Sequence, residues 1–138
     1  MDILLMTHSG LRWLVLLMAA VAVVKFALGW LQDGEFKGMD RGLASAFSGL
    51  MDLQALLGII FLLWSGFSGT GFPLYRIEHG MIMILAAVVA HLPARWKNAD
   101  SKKRFRNTLF TIVGSVLLVI AWLDHAARRI APVTPLYR

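Results

Sequence analysis

Apolar runs of bilayer length recur along this chain. Residues 72–96 read FPLYRIEHGMIMILAAVVAHLPARW. About 20 apolar residues in a row suffice for a helix to cross a hydrocarbon core. The run opens on Pro73, a residue suited to the first helical position, and closes on Pro93 and Arg95. Ile3–Val24, Leu43–Trp64 and Thr108–Leu123 repeat the pattern. Four such runs in 138 residues leave little chain for anything else. Charged residues make up 16% of the chain, against about 25% in a typical soluble domain, and mean hydropathy is +0.67. The expected fold is all-α: a four-helix antiparallel transmembrane bundle, one integral membrane domain over 1–138. Its spans are expected at 3–27, 43–65, 73–93 and 108–127.

The intervening segments are short. Leu31–Gly42 is polar and punctuated by Gly34, Gly38 and Gly42, and Ser65–Pro73 is a glycine-rich turn. Ala94–Asn107 carries Arg95, Lys97, Lys102, Lys103, Arg104 and Arg106 against the single acid Asp100. Basic loops stay on the cytoplasmic side. This expectation places the first and third loops in the cytoplasm and both termini on the outer side, the periplasm of a bacterial inner membrane. Arg128, Arg129 and Arg138 oppose it but are fewer. Ala20-Val21-Ala22 resembles a signal-peptide cleavage site. A Met-Asp start and Arg12 within the run both depart from a cleaved leader. The net charge of +6 resides largely in one loop, so it reads as an orientation signal rather than a nucleic-acid footprint. With no cysteine, disulfides, thiolate metal sites and thioether-linked haem are excluded. The tail Ile130–Arg138, with Pro132 and Pro135, is expected to be extended.

An ionisable residue inside a membrane span is costly, so its default reading is functional. Up-and-down connectivity makes spans one and three parallel and diagonal, which brings His8 and His79 to similar depth on the outer side. Two histidines on facing helices can supply both axial ligands of a b-type haem. Arg12 follows His8 by one turn, placed to hold a propionate or to pair with Glu78. The alternative is that His8, Arg12, Glu78 and His79 form an interfacial cluster of hydrogen bonds and ion pairs. His125 shares that side. Toward the inner side lie Lys25, Asp52, Gln54 and His91, which read either as a quinone or proton site or as a buried salt bridge fixing helix register. A second haem is not expected, because the position opposite His91 on span one falls near Val21 or Ala22. The small residues Ala44, Ser45, Ala46, Ser48 and Gly49 suit close helix packing. Trp13, Trp30, Trp64, Trp96 and Trp122 fall mostly near span ends, as an aromatic belt would.

The segments THSGLRWLVLL, DLQALLGII and RIEHGMIMILAAVVAHL, within residues 7–123, resemble a family of small four-helix bacterial membrane proteins often labelled cytochrome b-like. The specific parts are His8–Trp13, Asp52–Gln54, Glu78–His79 and His91; His125 lies outside the pattern. The resemblance implies haem. The leading expectation is therefore an electron-transfer protein or respiratory-chain subunit, with haem b between helices one and three and a quinone as a further candidate. The alternative is a haem-free accessory subunit packed against a larger respiratory or photosynthetic complex. Its expected partners are the lipid bilayer and a larger membrane complex or further copies of itself, with no nucleic acid. A stand-alone enzyme is the poorest fit, since little extramembrane chain remains to recognise a substrate.

Overall fold

The computed structural model describes residues 2–130, and every regular element among them is helical. Helix α1 is Asp2–Leu31, α2 is Gly38–Ser65, α3 is Leu74–Ala90 and α4 is Ser101–Ile130. A π-type turn, Gly66–Thr70, follows α2, and a 3-10 turn, Leu92–Trp96, follows α3. All four long helical segments are long and apolar enough to cross a membrane. The tail with Pro132, Pro135 and Arg138 lies outside the described residues.

Helices α1, α2 and α4 overrun the apolar stretches inside them, and α3 stops short of its own, for local reasons. Helix α2 begins at Gly38, ahead of the apolar run at Leu43, because Asp40 caps it: the Lys37 N–H donates to Asp40 Oδ2 at 2.9 Å. This satisfies one of the donors a helix start leaves orphaned. Helix α1 ends where Gly34 N–H bonds the Gly29 carbonyl, with Asp33 in the left-handed region. Gly69 and Gly71 also have positive φ, so the turn after α2 needs residues without a Cβ at both places. Pro73 is the residue just before α3, with φ −64° and ψ 141°, rather than its first helical residue. Pro93 limits α3 at its other end, since it lacks the N–H that a continuing helix requires.

Helix packing runs around a ring, α1 on α2, α2 on α3, α3 on α4 and α4 on α1, so α1 and α3 stand on a diagonal. The buried residues of α1, Val15, Ala19, Ala22 and Phe26, follow spacings of three and four. They form one stripe of a helix that is apolar all round. Opposite stripes are exposed: Trp13, Leu17, Val21 and Val24 are each more than half exposed. Apolar residues on both faces mark a helix whose outer surroundings are not water.

Small residues bring α3 and α4 together. Ala86, Ala87 and Ala90 are buried, and Ser115 Oγ donates to the Ala86 carbonyl at 2.9 Å. The small residues at the start of α2 behave differently from the expectation. Ser48 is buried, but Ser45, Ala46 and Gly49 are exposed, and a Cβ on Gly38, Gly42 or Gly49 would meet nothing within 4 Å. That stripe faces away from the other helices.

The end of the molecule holding Lys25 is locked by aromatic rings. Phe26, Phe36 and Phe105 cluster with ring centres 5.0–6.1 Å apart. Gly29 lies so close to the Phe105 ring that no side chain fits there. The Phe36 N–H donates to Ser101 Oγ at 2.9 Å, tying the first loop to the start of α4. Buried Asp40 pairs with Lys25 at 3.0 Å.

Candidate haem site

His8 lies near the start of α1 and His79 near the start of α3. Their ring centres are 6.2 Å apart and their planes cross at 88°. Each ring has a buried Nδ1 without a hydrogen-bond partner. Buried polar atoms are almost always satisfied, so an orphan is a signal to be explained. Two orphans on a pair of facing imidazoles suggest a ligand between or beside them. Imidazole nitrogens bind metals at about 2.0–2.1 Å, so two rings on opposite sides of one metal have centres roughly 6–6.5 Å apart. The separation here lies in that range.

Two cavities flank the pair. One, about 310 Å³, is lined by His8, Arg12, Gln54, His79, Met83 and Trp122 among others. The other, about 200 Å³, is lined by His8, Gly58, Leu62, Arg76, His79 and Gly80 among others. Both linings are mainly apolar, and small residues make the room. A Cβ on Gly58 would sit 3.1 Å from His8 Cε1. Among the described residues, no group of three or more His, Cys, Asp or Glu side chains could hold a metal ion. Two imidazoles alone suit a metal whose other ligands arrive with it, as in a porphyrin. Two imidazoles are the donor set a haem takes from a protein, and open space lies beside them.

Neighbouring side chains fix the two rings. Gln54 Nε2 donates to the His8 carbonyl at 2.9 Å and approaches His8 Nε2 at 3.5 Å. Trp122 packs on His79 with ring centres 5.4 Å apart and then on His125 at 5.6 Å. Trp122 is buried, so it is a wall of this site and not part of a lipid-facing belt. Trp13 and Trp64 are exposed, as belt residues are.

Arg12 lines the larger cavity, and its guanidinium lies 5.2 Å from the centre of the Trp13 ring. It does not pair with Glu78. Glu78 instead meets Arg129 at 3.4 Å and His125 at 4.0 Å, joining the start of α3 to the end of α4. His125 is thus a carboxylate neighbour, while Arg12 makes no ion pair among the described residues. Arg76, in the first turn of α3, is a residue the sequence did not single out. It lines both cavities, and its Nη1 donates to Ser65 Oγ at 2.9 Å. Nothing in its local sequence distinguishes it, since its place depends on how the turn after α2 folds back.

The residues expected to share an inner polar site separate into three places. His91 Nε2 lies 2.9 Å from both oxygens of Asp52. Gln54 belongs with His8. Lys25 belongs with Asp40 at the far end of α1. The reason is helical rotation. Residues 52 and 54 differ by about 200° around α2 at 3.6 residues per turn, so they face opposite sides. The Asp52–His91 pair is also not buried: each side chain is 53% exposed, although Asp52 is at the middle of α2.

Comparison of this chain with protein-family models, curated proteins and solved structures gives no match.

Proposed function

We propose that this chain is a multi-pass bacterial inner-membrane protein carrying electrons through a b-type haem held between His8 and His79. One observation carries the reading: two facing imidazoles on diagonal helices, each with a buried unpartnered nitrogen, between two cavities. Bound there, haem supplies one-electron redox chemistry. The protein's own residues do the rest. His8 and His79 would hold the haem. Gln54 fixes the His8 backbone, and Trp122 holds the His79 ring in place. Arg12, with no acidic partner among the described residues, is available to a propionate. The apolar lining limits water, which favours a low-dielectric redox site.

The contacts between helix ends support an antiparallel bundle. The end of α1 meets the starts of α2 and α4, through Lys25 with Asp40 and Gly29 with Phe105. The start of α3 meets the end of α4 through Glu78 and Arg129. The basic third loop then orients the bundle with the His8 end outward. A reporter inserted near Lys103 is expected to read out as cytoplasmic and one after Arg138 as periplasmic. Opposite readouts would invert the orientation.

Haem content is the test of function. Protein purified in mild detergent from haem-replete cells should give a pyridine haemochrome of haem b, one per chain. A folded, colourless preparation would reject the reading.

A second reading is favoured by a separate observation. Asp52, at the middle of α2 where hydrocarbon would surround it, and His91, just past the end of α3, are both half exposed. Polar pairs in that position normally face a cavity or another protein. The outward stripe of Gly38, Gly42, Ala46 and Gly49 has the small-residue spacing of a helix contact. Both features suit a subunit packed against a larger respiratory or photosynthetic complex or a second copy, with a quinone as the other candidate occupant at His91.

A further inference from the structure

A third cavity lies away from the histidine pair. It lies at the opposite end, beyond the C-terminus of α3, and measures about 460 Å³. Its origin is a difference in helix length. Helix α3 has 17 residues where α2 has 28 and α4 has 30. At 1.5 Å per residue, α3 is shorter than its neighbours by roughly 16–20 Å. The 3-10 turn and the residues after it fill only part of that gap.

The lining is chemically one-sided. Arg41 from α2, Lys97 after the 3-10 turn and Arg104 from α4 all contribute to it, with Ser45 and Asn98 as neutral donors. No Asp or Glu lines it. None of the three cations makes an ion pair among the described residues, and Asp40, the nearest buried carboxylate, is already taken by Lys25 and the Lys37 N–H. Arg41 is close enough to Arg104 for the two charges to repel, while Asp40, outside the lining, attracts Arg104. Arg104 is stacked on Phe36, its guanidinium carbon 4.0 Å from the ring centre. Stacking holds the face of the guanidinium and leaves the N–H edge unspent. Three cations from three segments, two of them repelling each other, share a lining that holds no acid, and such a site suits an anion. Arginine's planar fork matches phosphate in particular.

We propose that this cavity binds the phosphate of an anionic phospholipid headgroup. A lipid fits better than a free ion because the other side of the cavity is apolar, through Ala44, Ala90, Pro93 and Ala94. His91 borders the cavity, and Val88 and Ile84, three and seven residues earlier on its face of α3, are exposed. Acyl chains can follow that face away from the headgroup. Basic pockets between helices at the cytoplasmic rim are where such headgroups bind. The assignment of a lipid rests on the membrane reading, but not on haem, whose site is at the other end.

Thermal unfolding of the full chain in detergent tests it, with phosphatidylglycerol, phosphatidylcholine or inorganic phosphate added. Phosphatidylglycerol should raise the midpoint by about 3 °C or more, because a ligand of the native state stabilises it. Phosphatidylcholine and phosphate should not. Arg41→Gln with Arg104→Gln should abolish the shift, and Arg41→Lys with Arg104→Lys should retain part of it. Because Arg104 also packs on Phe36, Lys97→Gln serves as a second variant; its side chain is exposed, and it should reduce the shift with the fold intact. An equal shift with inorganic phosphate would overturn the lipid assignment in favour of a free anion. No shift with any probe, or a full shift in the Gln variants, would overturn the site.

Discussion

The two histidine pairs of this molecule contrast in what their nitrogens do. His91 has both oxygens of Asp52 within 2.9 Å, and the pair is half exposed. His8 and His79 face each other from diagonal helices, each with a buried nitrogen that bonds nothing. The Asp52 carboxylate engages one of the two ring nitrogens of His91, and the exposure of that side chain leaves the other open to its surroundings. A histidine with an orphaned buried nitrogen carries an unmet cost of order 1–3 kcal/mol, which a ligand can remove. Counting histidines along the sequence treats the two pairs as equals; the partners of their nitrogens separate them.

That contrast can be broken most sharply by substitution. His8→Ala or His79→Ala should remove haem or convert it from low to high spin, while His91→Ala leaves the spectrum unchanged. A spectrum lost in His91→Ala and kept in His8→Ala would reverse the assignment of the two pairs.

The next largest effect is on the ring-fixing residues. Gly58→Val pushes a branched side chain into His8, whose Cε1 would already lie 3.1 Å from an added Cβ. Haem occupancy should fall several-fold, with helix content by circular dichroism retained. Full occupancy would mean that His8 is free to move and is not held for ligation.

For the other pair, a double-mutant cycle between Asp52→Asn and His91→Ala should give a coupling of order 0.5–3 kcal/mol. Additive effects would mean that the contact contributes nothing. The smallest expected effect is away from both pairs. Ser115→Ala removes one interhelical hydrogen bond and should cost about 0.6 kcal/mol, a typical value for such bonds in membrane proteins.

How much of this was legible follows from which property each residue depended on. The helices themselves follow from apolar runs, because run length maps directly onto helix length. The depth match of His8 and His79 follows from counting residues from the start of each run. Rotation about the helix was harder to read. Gln54 was grouped with Asp52 because two residues differ little in height, yet they face opposite ways and Gln54 reaches His8. Partners at helix ends were harder still. Glu78 meets Arg129 because α4 continues as helix to Ile130, beyond its apolar run. Lys25 meets Asp40 because Asp40 caps a helix that starts before the apolar residues do. The cavity beyond α3 depends on a length difference between helices, visible only once their ends are known.

The central claim is that His8 and His79 jointly hold haem, and a reduced-minus-oxidised absorption spectrum of the purified protein tests it most directly. The account predicts a low-spin b-type spectrum that is lost or turned high-spin in both His8→Ala and His79→Ala and is nearly intact in His125→Ala, whose imidazole neighbours Glu78 instead. A low-spin spectrum that survives in either His8→Ala or His79→Ala would contradict it.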